Sequence, residues 1–180
     1  MHIRKAFRPL LCAGLCAVLP YTQAQAKEPA LHVTAASTYY DNRSTALDLV
    51  QSYYNAIGTG QLARAFSYTL KGTPEKDANQ LAADYNAFRN KFQDIRSIKL
   101  RFELGFTSAG VGTEVSAVPV VVEMETNEGS TIVRSSCHYV VRLSPDAQDY
   151  APFDPIRIDA SFDEPVEGDF EATALPDCRF

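Results

Sequence analysis

The stretch Ile98-Lys99-Leu100-Arg101-Phe102-Glu103-Leu104 alternates apolar and charged residues strictly. A period of two is typical of a β-strand with one buried and one solvated face. Upstream of this stretch the apolar residues recur at helical spacing, and downstream the period of two returns in three further segments. The stretch therefore marks the point where helices give way to an antiparallel sheet, which predicts an α+β fold.

Three helices are predicted before residue 98. The first follows the N-cap candidates at 41–44 and ends at Gly58 and Gly60, and the second covers 61–70. The third begins at Thr73-Pro74-Glu75, because Thr caps, Pro suits the first helical position and Glu meets the positive end of the dipole. We expect the apolar stripes of the first and third helices to cover the sheet. The stripe of the third consists of Leu81, Tyr85, Phe88, Phe92 and Ile95.

Three segments after the opening strand are predicted to continue the sheet. A flexible connection over 105–116 leads to a strand at 117–126, a turn at 127–130 and a return strand at 131–143. The last strand covers 156–162, and an acidic, solvated tail follows. The domain boundaries are then a signal peptide at 1–26, a flexible leader at 27–40, the domain itself at 41–162 and the tail at 163–180.

The alternation also predicts which side chains face the helices. In the strand at 117–126, Val118, Val120, Val122 and Met124 face inward, whereas Glu123 and Glu125 face outward. In the return strand the side that carries Cys137 and Tyr139 is the more apolar, so we expect it to face inward. That choice places His138 outward, together with Arg134 and Arg142, which then lie opposite the two glutamates. In the last strand Ile156, Ile158 and Phe162 are expected inward and Asp159 outward.

The N-terminus has the pattern of a secretory signal peptide. Arg4, Lys5 and Arg8 precede a short apolar run, and Ala24-Gln25-Ala26 supplies a small-x-small cleavage site. The run is too short for a membrane anchor, and no second apolar span follows. We therefore expect cleavage near Ala26 and a periplasmic or secreted protein. Lipidation at Cys16 is the less favoured alternative.

Loss of the signal changes the charge and the cysteine count. The formal net charge moves from −5 to −8, which argues against nucleic acid and anionic membranes as partners. Cys137 and Cys178 are the cysteines left after cleavage, and in an oxidising compartment they are expected to form a disulfide. A redox pair or a metal site is the alternative, but the two cysteines are far apart and the mature chain has few histidines. We expect no metal and no cofactor.

Several segments resemble the NTF2-like (SnoaL-like, ketosteroid-isomerase-like) superfamily. The first resemblance is Leu49-Val50-Gln51-Ser52-Tyr53-Tyr54-Asn55-Ala56-Ile57, followed by Gln61-Leu62-Ala63-Arg64-Ala65-Phe66. The segments 136–143 and 152–156 are similar to exported proteobacterial members. The resemblance covers about 42–162 and implies helices packed on a curved antiparallel sheet that closes as a cone. The superfamily includes isomerases, dehydratases, hydrolases and members that only bind, so the fold does not decide the function.

The inward positions predict an apolar interior. A ketosteroid-isomerase-type enzyme needs an inward carboxylate and an oxyanion donor, and no carboxylate has the inward parity in the predicted strands. Asp84, at the border of the third helix's stripe, is the one weak catalytic candidate. The candidates for ligand contact are aromatic residues: Tyr53, Tyr54, Tyr85, Phe88 and Tyr139.

These observations favour a non-catalytic exported domain that binds a small apolar ligand or a protein partner of the cell envelope. Two alternatives stay open. One is a small isomerase, dehydratase or hydrolase that uses Asp84 with a tyrosine. The other is an inhibitor or structural interaction protein, whose acidic surface would oppose a basic partner. Pairing of two copies into a homodimer through the sheet also stays open.

Overall fold

The computed structural model describes residues 31–34, 38–70, 77–147 and 155–179. The α-helices within them pack on an antiparallel sheet, so the predicted α+β class is confirmed. The helices are α1 (Ala46–Gly58), α2 (Leu62–Ser67) and α3 (Ala78–Phe92). The strands are β1 (Leu31–Thr34), β2 (Ile95–Phe102), β3 (Thr107–Gly110), β4 (Thr113–Thr126), β5 (Thr131–Leu143) and β6 (Ile156–Pro165). The predicted signal peptide lies outside the described residues.

The sheet has the strand order β1-β2-β4-β5-β6, and β3 pairs with β4. Two of these strands lie where the sequence predicts loops: β1 falls in the leader and β3 in the connection at 105–116. Gly112 has a φ of +74° in the tight β3–β4 turn, a conformation that glycine adopts without strain. At Gly105 a Cβ atom would lie 2.9 Å from the carbonyl oxygen of Ala117, so only glycine lets the chain pass this close to β4.

Side-chain oxygens cap α1 and α3. The hydroxyl of Thr45 accepts a hydrogen bond from the amide of Asp48 at 3.1 Å, one residue after the predicted cap candidates. In α3, Asp77 accepts from the amide of Asn79 at 3.2 Å. The predicted start at Thr73-Pro74-Glu75 includes residues outside the described part of the chain.

The face of the sheet turned towards α1 is the inner face, and α1 is its main cover. Eight residues of α1 are buried, and Leu49, Val50 and Ile57 have no exposed surface. They belong to one apolar core with inward residues of β2, β4, β5 and β6. Val118, Val120, Val122 and Met124 of β4 lie in this core as predicted.

The third helix covers less of the sheet than its apolar stripe predicts. Phe92 is buried and Phe88 is half-buried, but Leu81 at the other end is 37% exposed. The reason is that α3 packs beside α2, where the rings of Tyr85 and Phe88 each lie 5.5 Å from the ring of Phe66. The cover by α3 is therefore limited to its C-terminal half.

The opposite, outer face is covered by the C-terminal segment 166–179. Phe170 is buried there, and Arg101 donates a 2.8 Å hydrogen bond to its carbonyl oxygen. The hydroxyl of Tyr139 donates to the carbonyl oxygen of Arg179 at 3.1 Å. Val121 points outward from β4, yet none of its surface is exposed. The predicted tail thus packs against the sheet through Phe170 and Cys178, while most of its other side chains are exposed.

The predicted disulfide is confirmed. Cys137 on β5 is bonded to Cys178 in the C-terminal segment, with an S–S distance of 1.97 Å and a Cα–Cα distance of 5.6 Å. The bond ties the cover of the outer face to the centre of the sheet. Among the described residues, no helix combines the length and the hydropathy needed to cross a membrane.

Glu123 and Glu125 of β4 face outward as predicted, but their predicted partners are wrong. Lys99 on β2 lies 2.7 Å from Glu123, and Ser97 donates a hydrogen bond to Glu125 at 2.9 Å. Arg96 also pairs with Glu125. The glutamates pair with β2 because the arginines of β5 project from the other face of the sheet.

Candidate functional site

His138 lies on the inner face, buried beneath α1. It is only 1% exposed, and it stands directly opposite Val118 in the β4–β5 pairing. Directly opposite residues share a face of an antiparallel sheet, and Val118 belongs to the inner core. The outward placement predicted for His138 is therefore wrong. The apolar side of β5, with Cys137 and Tyr139, faces the C-terminal segment instead of the helices.

A register shift in the pairing of β5 with β6 reverses which side chains of β6 face inward near its C-terminal end. The pairing with β5 is irregular next to Tyr139, and beyond this point Ser161 stands opposite His138 and Asp163 opposite Ser136. Ser161 and Asp163 therefore face inward. Phe162 was predicted inward, but it lies on the outer side and is 65% exposed. The prediction that no strand carries an inward carboxylate is wrong, because β6 continues past residue 162 to Asp163.

A chain of hydrogen-bonded side chains crosses the inner face from an exposed hydroxyl to a surface ammonium group. We call this chain the relay. It connects β6, β5, α1 and α3. Its members, in order, are Ser161, His138, Tyr54, Ser136, Asp163 and Lys91.

The exposed end of the relay is a serine–histidine pair. The Oγ atom of Ser161 lies 2.6 Å from Nδ1 of His138. The hydroxyl oxygen of Tyr54 lies 2.8 Å from Nε2 of the same ring. Ser161 is exposed, whereas Tyr54 is buried. Both nitrogens of His138 are thus occupied, one by a hydroxyl that solvent reaches and one by a hydroxyl of the core.

The other end of the relay is an ion pair. The Tyr54 hydroxyl is hydrogen-bonded to the side chain of Ser136, which in turn donates to Oδ1 of Asp163 at 2.6 Å. The ammonium group of Lys91 lies 2.6 Å from Oδ2 of Asp163. Burial raises the pKa of Asp163, but the hydrogen bonds and charge of Lys91 and the hydrogen bond of Ser136 lower it more. Asp163 is therefore ionised at neutral pH.

The ionised carboxylate of Asp163 only accepts, so Ser136 is the donor between the two side chains. Two arrangements satisfy both ring nitrogens of His138. In one, Nε2–H donates to the oxygen of Tyr54, and the hydroxyl of Ser161 donates to Nδ1. In the other, Tyr54 donates to Nε2, and Nδ1–H donates to Ser161.

Burial also keeps the His138 ring neutral. Desolvation lowers the pKa of His138 from 6.5 to about 4, while the charge of Asp163 raises it and that of Lys91 lowers it. The same burial raises the pKa of Tyr54, and the charge of Asp163 adds to that effect. At neutral pH the imidazole thus acts as a donor at one nitrogen and an acceptor at the other.

Aromatic rings border the relay on the helical side. The ring of Tyr53 lies 5.7 Å from that of His138 and 6.2 Å from that of Phe88. Phe88 continues into the aromatic wall, a set of half-buried rings on α2 and α3. The wall consists of Phe66, Tyr85 and Phe88. The ring of Tyr53 therefore connects His138 to this partly exposed apolar surface.

The structure brings together four of the five aromatic residues predicted for ligand contact. Tyr53, Tyr54, Tyr85 and Phe88 lie on the helical side of the sheet. Tyr139 is separated from them because it faces the C-terminal segment, where its ring lies 5.8 Å from that of Phe162.

The weak catalytic candidate, Asp84, is not a member of the relay. It is half-buried on α3 and accepts a 2.8 Å hydrogen bond from Gln80 one turn earlier.

Sequence reasoning missed the polar members of the relay other than Tyr54. A usable signal was present in Ser136-x-His138 on one strand and Ser161-x-Asp163 on the next. Each motif places two polar side chains on one face of a strand. Two such motifs on neighbouring strands predict a polar cluster on a shared face, provided that the register is known.

Other features of the described residues do not add to this site. Within the described residues, no three His, Cys, Asp or Glu side chains are placed to hold a metal ion. A surface groove of about 470 Å³ lies beside the β3–β4 turn, and another of about 450 Å³ lies beside Cys178 on the outer face. Neither groove is lined by a residue of the relay.

Comparisons with family models, with curated proteins and with solved structures found no match to this chain. The functional assignment therefore rests on the site alone.

Proposed function

We propose that this chain is an exported domain that binds a small, mainly apolar ligand between the aromatic wall and Ser161. The aromatic wall is the observation that carries this proposal, because its three rings are half-buried and are connected through the ring of Tyr53 to His138, which binds the exposed hydroxyl of Ser161. Aromatic surface with a few placed polar groups is typical of small-molecule sites. A negative net charge disfavours anionic ligands.

Export is part of the same proposal. The charged and apolar N-terminal pattern supports it, and so does the disulfide, which is typical of oxidising compartments. Membership of the NTF2-like superfamily is also proposed. The order of helices before strands and the packing of α1 on an antiparallel sheet support this membership.

A dye-binding titration tests the ligand site. We expect the neutral dye N-phenyl-1-naphthylamine to bind the full mature chain, and Tyr85→Ala to weaken this binding about tenfold, because the mutation removes half-buried aromatic surface. Phe162→Ala is the matched control, since it removes an exposed ring from the outer side. Equal binding by Tyr85→Ala and the parent chain, or loss of binding in Phe162→Ala alone, would place the apolar site elsewhere.

An enzyme is the second candidate function. The sequence disfavours catalysis because its predicted strands carry no inward carboxylate. The structure places the carboxylate of Asp163 on the inner face, so this argument against an enzyme no longer holds. The residues that favour an enzyme are those of the relay, not Asp84. Binding of a protein partner is the alternative use of the aromatic wall. It predicts that the wall loses solvent exposure only when a partner protein is added.

A further inference from the structure

We propose that Ser161 is a nucleophile, with His138 as its general base, and that the site hydrolyses small neutral carboxylic esters. The inference rests on the proposed function only in that the bound ligand is then a substrate. It is carried by the geometry of the relay, which places an exposed hydroxyl on a buried, correctly oriented imidazole.

The serine–histidine pair has the geometry of an activated nucleophile. The Oγ–Nδ1 distance of 2.6 Å is within hydrogen-bond reach. In the tautomer that carries its proton on Nε2, Nδ1 is unprotonated and accepts the hydroxyl proton. The hydroxyl of Tyr54 holds the other nitrogen at 2.8 Å, which fixes the orientation of the ring. Tyr54 is therefore a positioning residue for the base.

The negative charge of Asp163 favours the imidazolium that forms when His138 takes a proton. Lys91 opposes this effect but holds the carboxylate in its ionised form. Asp163 thus stabilises the protonated base at longer range than the acid that contacts the histidine in a serine–histidine–aspartate arrangement.

The reaction proceeds in two steps, acylation of Ser161 and hydrolysis of the acyl group. Ser161 Oγ attacks the ester carbonyl carbon and its proton moves to Nδ1 of His138. The C–O bond to the leaving group breaks, and the departing alkoxide takes the proton from Nδ1 and leaves as an alcohol. Water then attacks the acyl carbon and gives a proton to Nδ1. The bond to Ser161 breaks, and Oγ regains the proton as the carboxylic acid leaves.

The surroundings of Ser161 define the substrate class. The aromatic wall suits an apolar acyl or alkyl group, and the acidic chain disfavours anionic esters.

A covalent probe tests the nucleophile without requiring ligand affinity. The full mature chain is incubated with a small alkyl fluorophosphonate, and the adduct is located by mass spectrometry. We expect one adduct, on Ser161, and none in Ser161→Ala. Ser135→Ala is the matched control, because this half-buried serine lies on the outer face of β5. In this variant, Ser161 should be labelled at the same rate as in the parent chain.

Variants of the relay separate activation from simple exposure. His138→Gln should slow labelling of Ser161 about a hundredfold, since the general base is lost. Tyr54→Phe should slow it about tenfold, because the imidazole proton can then move to Nδ1. The pH profile should also change in Tyr54→Phe, which a purely structural role would not cause. Circular dichroism confirms that each variant is folded.

Two results would overturn the proposal. One is the absence of an adduct on Ser161 in the folded parent chain. The other is labelling of Ser161 that is equally fast in His138→Gln and Tyr54→Phe, since the hydroxyl would then have ordinary reactivity. Failure of dye binding with normal labelling rejects the ligand site alone. Normal dye binding without labelling rejects the nucleophile alone.

Discussion

The two faces of the sheet differ in how they are covered and in what they bury. The inner face lies under α1 and carries an apolar core at one end and the relay at the other. The outer face lies under a segment without regular secondary structure, tied down by the Cys137–Cys178 bond. The helical cover thus shields a polar, chemically capable site, whereas the tail shields mainly apolar side chains. In this fold the more apolar side of β5 faces the C-terminal segment and not the helices.

The largest expected effect comes from releasing the outer cover. In the double variant Cys137→Ala, Cys178→Ala, the free energy of unfolding should fall by about 4 kcal/mol, because the disulfide spans 41 residues of chain. Urea denaturation measures this change. The imidazole of His138 should keep its environment, since it lies on the other face. An unchanged free energy of unfolding would mean that the segment is held by packing alone.

A change of pH should act on the inner face instead. Below pH 6.5 the unfolded chain protonates His138, whereas the folded chain does so only at about pH 4. The unfolded state binds more protons in this window, so stability is complete above pH 6.5 and is lost as the pH falls towards 4. The loss corresponds to about 3 kcal/mol at most.

Denaturation of His138→Gln between pH 4 and 7 measures this contribution. In this variant, the free energy of unfolding should depend much less on pH between pH 4 and 7. Asp163 contributes in the same direction, because its folded pKa is also lowered, so its share is lost as the pH falls through that lowered value. The slope that remains in His138→Gln should therefore lie at the acidic end. A slope as steep as that of the parent chain would contradict the buried, neutral histidine.

The smallest expected effects come from ion pairs at the surface. The Lys91 and Asp163 side chains are 47% and 22% exposed, so a double-mutant cycle with Lys91→Met and Asp163→Asn should give a coupling of about 1 kcal/mol. The outer-face pair of Lys99 and Glu123 is the control. Its lysine is more exposed, so its coupling should be smaller. A larger coupling on the outer face would contradict the view that the inner pair is part of a structured site.

The sequence predicted the elements better than their faces. The switch from helical spacing to alternation at Ile98 located the boundary between helices and sheet, and the turn at 127–130 set the hairpin of β4 and β5. The cysteine count predicted the disulfide. These features depend on local patterns that a single sequence contains.

The relay could not be predicted, because it depends on register and on the cover of both faces. Alternation in β5 separates two sets of side chains but does not say which set meets the helices. Both sets are buried here, so the apolar set with Tyr139 was assigned to the wrong face. In β6 the register shift reversed the parity of Ser161 and Phe162 within one strand. Such a shift leaves no reliable mark in the sequence.

The protonation state of His138 tests the account most directly. Nitrogen NMR of the labelled full mature chain, with the signal assigned by His138→Gln, reports the charge and the tautomer of this ring. We expect a neutral imidazole at pH 7, with its proton on Nε2 and no titration above about pH 5. A ring that titrates near its ordinary value of 6.5, or one that carries its proton on Nδ1, would contradict the relay and the activation of Ser161.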